Sequence, residues 1–152
     1  MSCQHFLVPL DFSTEADQAL EYAIGLAATL QARVTLLHVL EIPKLVDMSL
    51  TPYRAHMETE TKRALAARLQ RVHQAGVAGD MIRVHGVPFQ EIIELATTTG
   101  IDLIIMSTHG RTGLRHVLLG SVAEKVVRLA PCSVLVTRHA DAVPRPEGEA
   151  SE

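Results

Sequence analysis

The sequence predicts an α/β protein: a single open, doubly wound sheet of five parallel strands with helices on both faces. Three observations lead there. Short apolar runs alternate with longer segments whose apolar residues recur every three or four positions, in the order β-α-β-α-β-α-β-α-β. The apolar runs are nearly continuous, which suits strands covered on both faces. The composition, 47% hydrophobic and 20% charged over 152 residues, suits one domain with a sizeable core. Aromatics are only 3% and Trp is absent, so that core must be aliphatic.

Phe6-Leu7-Val8 reads as the first strand, ended by Pro9. Thr14-x-x-Asp17 has the form of a capping box, and Ala16, Leu20, Ile24, Ala27 and Leu30 make one apolar helix stripe. Residues 34–40 form the second strand. Residues 41–56 hold two prolines and read as a loop. Leu65, Leu69 and Val72 predict a helix over 57–74, closed by Gly76, with Lys62, Arg63, Arg68 and Arg71 on a solvated face. Residues 81–84 form the third strand. Pro88 opens a helix striped by Phe89, Ile92, Ile93 and Ala96, and Gly100 closes it. Residues 103–106 form the fourth strand. Ser121-x-x-Glu124 is a second capping box, opening a helix with Val122, Lys125, Val126 and Leu129 that Pro131 stops. Residues 133–136 form the fifth strand. The domain is expected over 1–139, and the Pro- and Glu-rich stretch 140–152 as a flexible tail.

Several function classes are disfavoured. The net charge of -3 and the scarcity of aromatics argue against nucleic acid. No apolar run approaches the roughly 18 residues of a membrane span, and no secretory signal is expected. Two cysteines, Cys3 and Cys132, make no disulfide framework and fit a reducing cytoplasm; Cys132 is expected to be buried. The chain lacks G-x-x-x-x-G-K-[ST], G-x-G-x-x-G after the first strand, and G-x-S-x-G. Its histidines show no metal-ligand spacing, and a receiver-like acidic cluster is missing.

Sheets of this kind bind ligands past the carboxyl ends of their strands, where strand order reverses. Two segments compete for that place: residues 9–13 and residues 107–121. The second carries Gly110, Gly113 and Gly120, where backbone can approach a ligand, and Ser121, which opens a helix whose free N–H groups favour anions. Arg111 and Arg115 add positive charge. Other readings stand beside these: Ser121 as a simple cap, Asp11 as a cap for the first helix, and His38 as a packed histidine.

At the glycine loop the chain resembles the universal stress protein family, over residues 4–138. The shared landmarks are Val8-Pro-Leu-Asp11-Phe-Ser13, Leu36-Leu-His-Val39, Gly86-Val-Pro88, Leu119-Gly-Ser-Val-Ala-Glu124 and Pro131-Cys-Ser-Val-Leu-Val136. ATP-binding members carry G-x2-G-x9-G-[ST]. Gly110, Gly120 and Ser121 keep that pattern, and Ser107 replaces its first glycine. A serine there is costly if the backbone needs positive φ and harmless otherwise.

The resemblance implies strand order 3-2-1-4-5, as in adenine-nucleotide alpha-hydrolases, and ATP with Mg²⁺ as ligand. Pro9, Leu10 and Asp11 would face the nucleoside, Val39 would offer backbone to adenine, and Met106 and Ser107 would line the pocket. His109, Gly110, Arg111 and Gly113 would lie by the triphosphate, with Gly120, Ser121 and Val122 closing on it. A cytoplasmic homodimer is implied through the last strand (Ser133, Val134, Leu135, Val136), with a regulatory protein as a further partner. No base is positioned for a water, so any ATP hydrolysis should be slow. Two alternatives remain open: a dimeric interaction module that binds no nucleotide, and a true hydrolase-class enzyme, against which the lack of extra substrate-recognition segments speaks.

Overall fold

Parallel strands need crossover connections, and helices supply all four here. The computed structural model describes residues 3–41, 51–109 and 119–138. Its elements are β1 (His5–Pro9), α1 (Thr14–Leu30), β2 (Arg33–Leu40), α2 (Thr51–Gln74), β3 (Gly79–His85), α3 (Pro88–Thr98), β4 (Leu103–Ser107), α4 (Ser121–Leu129) and β5 (Ser133–Thr137). The strands make one parallel sheet in the order β3-β2-β1-β4-β5, as the resemblance implies.

The two-residue side-chain period of a strand divides the core in two. Phe6, Val8, Leu36 and Ile105 point to one face and pack with Leu20 of α1 and with Leu65 and Val72 of α2. Leu7, Leu37, Ile104 and Met106 point to the other and meet Ile92 and Ala96 of α3 and Ala123 and Val126 of α4. Each fully buried aliphatic side chain contributes about 1.5–3 kcal/mol of transfer free energy. Gly76 and Gly100 end their helices with φ of +74° and +65°, a conformation glycine adopts without penalty.

The structure corrects several expectations. α2 begins at Thr51 rather than near residue 57. Pro52 stands in its first turn, where a missing N–H costs nothing, so that proline marks a helix start and not a loop. The cap of α1 is Ser13, one residue before the expected box: its Oγ accepts the N–H of Ala16 at 3.1 Å. Asp17 turns instead to α2 and takes both Arg68 Nε and Nη2, at 2.6 and 2.8 Å. Arg68 is therefore no solvated side chain; it is only 15% exposed. Arg71 likewise reaches Glu21 and Asp17 of α1. α4 is capped by Gly120, not Ser121, and no side chain among the described residues caps it. Leu30 and Leu129, placed on apolar stripes by their spacing, stand exposed in the last turns of their helices. Cys132 is half-buried, and burial pushes its thiol pKa up. Gly110, Arg111, Gly113 and the stretch 140–152 lie outside the described residues.

Candidate functional site

β1 sits at the centre of the sheet, and the chain departs from it toward β2 on one side and receives β4 on the other. Past the carboxyl ends of these strands lies a cavity of about 310 Å³. That size falls at the lower end of small-molecule sites. Its walls are the turn after β1, the ends of β2 and β4, and the starts of α3 and α4.

The first wall is the turn Pro9-Leu10-Asp11. Leu10 is tied by its N–H to Leu37 O at 2.8 Å. Its carbonyl accepts Nδ1–H of the buried His38 at 2.7 Å, so this histidine is a packed strut. Asp11 Oδ1 accepts the Ser13 N–H at 2.9 Å and the Ser13 hydroxyl at 2.6 Å. Asp11 thus supports the α1 cap through Ser13 while also bordering the cavity.

The second wall is built where β4 hands over to the loop. Ser107 closes β4 in strand conformation, and among the described residues only Phe12 and Gln31 are non-glycines with positive φ. The serine in place of the family's first glycine is therefore unstrained. Its Oγ donates to His109 O at 2.8 Å. Gly120 N–H donates to Thr108 O at 2.6 Å. A Cβ on Gly120 would stand 2.9 Å from that same oxygen, so no larger residue fits without displacement. Gly120 brings α4 in with φ -66° and ψ 160° and offers its first-turn N–H groups no capping side chain. Ser121, Val122 and Ala123 form the cavity wall at that point.

The structure brings Pro9, Leu10, Asp11, Val39, Met106, Ser107, Gly120, Ser121 and Val122 around one cavity. His109 does not line it; its Nδ1 lies 3.0 Å from Thr108 Oγ1. Sequence reading missed Ala16, Leu37, Glu41, Pro88, Ile92, Thr108 and Ala123 as lining residues. Pro88 and Ile92 were legible as a helix start, but nothing in their spacing says that α3 borders the cavity. The result is an apolar floor of Leu37, Ile92 and Met106, two carboxylates (Asp11 and Glu41), and a helix N-terminus. Such a site suits a ligand with a flat or apolar body and an anionic end.

Comparison with known proteins shows the family and the fold. The profile of the Universal stress protein family matches residues 3–138. The chain belongs to that family. Universal stress protein MJ0531 of Methanocaldococcus jannaschii is 34% identical over 136 residues, covering 87% of this chain and 80% of that protein. The solved MJ0577 protein of the same organism superposes with a TM-score of 0.83 at 29% identity, covering 93% of this chain and 99% of the other. More distant structures of the fold include a universal stress protein in complex with cAMP (22% identity, TM-score 0.71) and one from Archaeoglobus fulgidus in complex with dAMP (20%, 0.67). Among the described residues, no helix of this universal stress protein is long and apolar enough to cross a membrane.

Proposed function

We propose that this universal stress protein binds ATP in the cavity and works as a nucleotide-dependent regulatory dimer in the cytoplasm. The observation that carries the reading is the entry of α4. Gly120 is pressed against Thr108 O where a Cβ would collide, and it leaves the first turn of α4 without a side-chain cap at the cavity wall. That N-terminus would hold the phosphates, with Gly110, Arg111, Gly113 and His109 contributing from the loop. Asp11 would accept ribose hydroxyls, and Val39 would offer backbone to the base above the apolar floor. Distant relatives that hold cAMP and dAMP support an adenine nucleotide as the ligand class. Mg²⁺ would arrive with the phosphates. Turnover is expected to be slow, with binding serving to bias the dimer or a partner protein.

The dimer would form along β5. Among the described residues this strand has a neighbour only in β4, and Val127 and Leu129 of α4 are exposed. Antiparallel pairing with its copy would cover an open edge.

The test begins with the nucleotide content of the purified protein, followed by calorimetric titration of the stripped protein with Mg-ATP. Ser121→Asp separates binding from folding. An acidic residue in a first helical turn favours the helix but repels phosphate, so ATP affinity should fall at least about tenfold while stability holds. The second reading is a dimeric interaction module without nucleotide, suggested by the replacement of the motif's first glycine by Ser107, although the backbone there carries no strain. No co-purified nucleotide and no heat of binding would decide for that reading.

A further inference from the structure

Of the two non-glycine residues with positive φ among the described residues, Gln31 caps α1, where left-handed backbone is ordinary. Phe12, at φ +64°, has no such explanation. A residue with a Cβ is disfavoured there, so its surroundings must hold it. Two contacts do so. The Phe12 ring lies 4.3 Å from the His38 ring, tilted by 31°. The guanidinium of Arg68 stands over the same ring, 4.8 Å from its centroid. Arg68 is itself fixed by both carboxylate oxygens of Asp17 and by Ala64 O at 3.0 Å. None of Phe12, His38 and Arg68 lines the cavity, whereas Leu10 and Asp11, just before Phe12, do.

We infer that Arg68 is a positioning residue for the nucleotide site, an inference that rests on the ATP reading. From α2 it clamps Phe12 in the left-handed conformation. That conformation turns the chain so that Asp11 meets Ser13 and stays at the cavity wall. The clamp acts on the nucleoside end alone, because the phosphate end is built from β4 and α4. Its loss therefore weakens adenosine and ATP by the same factor, unlike the loss of a phosphate contact.

The experiment uses the full chain with Arg68→Lys, which keeps the charge but loses the flat, two-pronged grip on Asp17 and Phe12. Phe12→Leu is the companion variant; it keeps apolar bulk and removes the ring. Adenosine and Mg-ATP are titrated by calorimetry, and exchange of the Ser13 amide, held by Asp11, is followed by NMR. Both affinities should weaken by about tenfold and by equal factors, with faster Ser13 exchange. Unchanged adenosine affinity with unchanged exchange overturns the inference, as does a loss confined to ATP, which would mark Arg68 as a phosphate-attracting charge. If the wild-type protein binds neither ligand, the ATP reading fails, and Ser13 exchange alone still decides whether Arg68 holds the turn.

Discussion

Asp102, just before β4, takes the N–H groups of Gln4 and His5 at 2.8 and 2.9 Å, whereas Asp11, past the other end of β1, faces a cavity. The contrast extends across the sheet. At the amino ends, Arg33 donates to His5 Nδ1 at 2.9 Å, His5 Nε2–H to Thr35 at 2.8 Å, and Thr35 to Asp80 at 2.5 Å. The guanidinium has only donors, so it dictates the neutral His5 tautomer. At the carboxyl ends stand a residue with left-handed backbone, a helix without a side-chain cap and an open volume. One end is closed by side chains binding each other; the other holds a left-handed residue and a helix start with no side-chain cap among the described residues. A sheet anchored at one end can tolerate a less stable arrangement at the other.

Two glycines offer the sharpest attack on this contrast. Gly79 opens β3 at the amino end, where a Cβ would stand 2.8 Å from Val34 O and 3.0 Å from Val72 Cγ1. Gly120 meets Thr108 O at a similar distance at the cavity end. Gly79→Ala and Gly120→Ala should each lower unfolding stability by about 2 kcal/mol in urea titrations. Only Gly120→Ala should also weaken Mg-ATP binding. Equal affinity losses in both would show that the two ends are not separable.

Thr35→Val should have a smaller effect. It keeps the β-branched shape but strands the His5 Nε2–H in a buried place, costing about 1–2 kcal/mol. Mg-ATP affinity by calorimetry should stay at the wild-type value.

The smallest expected effect is a pH dependence. Burial first, then Arg33, holds His5 below its usual 6.5, against the opposing pull of Asp80 and Asp102. The unfolded chain thus binds this proton more readily than the fold does. Stability should fall as pH drops below 6.5 and level off beneath the lowered folded value. Asp102 acts in a more acid window: the Gln4 and His5 N–H groups hold it below 3.8, so its contribution is lost as pH falls through that lowered value. Melting temperatures from pH 8 to 5 should show a slope in the wild-type protein that is reduced in His5→Asn.

The strands were legible because each apolar run is short, continuous and followed by helical spacing, while their order in the sheet came from the family resemblance. The caps were less so. Ser13 and Thr14 are both good caps, and only the Asp11–Ser13 bond selects the first. Pro52 was misread because proline marks loops and helix starts alike. Arg68 looked solvated because a pattern along one helix carries no information about Asp17 on another. The cavity walls from β1, β4 and α4 were legible from motif spacing, but the place of α3 at the cavity and the left-handed Phe12 depend on tertiary contacts.

The pairing of Phe6 and Leu7 with Leu103 and Ile104 has a consequence for how the site comes into being. β1, β2 and β3 can assemble from neighbouring segments, but β4 joins β1 across about a hundred residues of chain, a slow kind of closure. The two walls face each other across the cavity only after that closure. A ligand held there recognises the finished protein and not a growing or half-folded one. Its binding then resists unfolding by mass action, so the concentration of such a ligand would set how much of the protein stays folded.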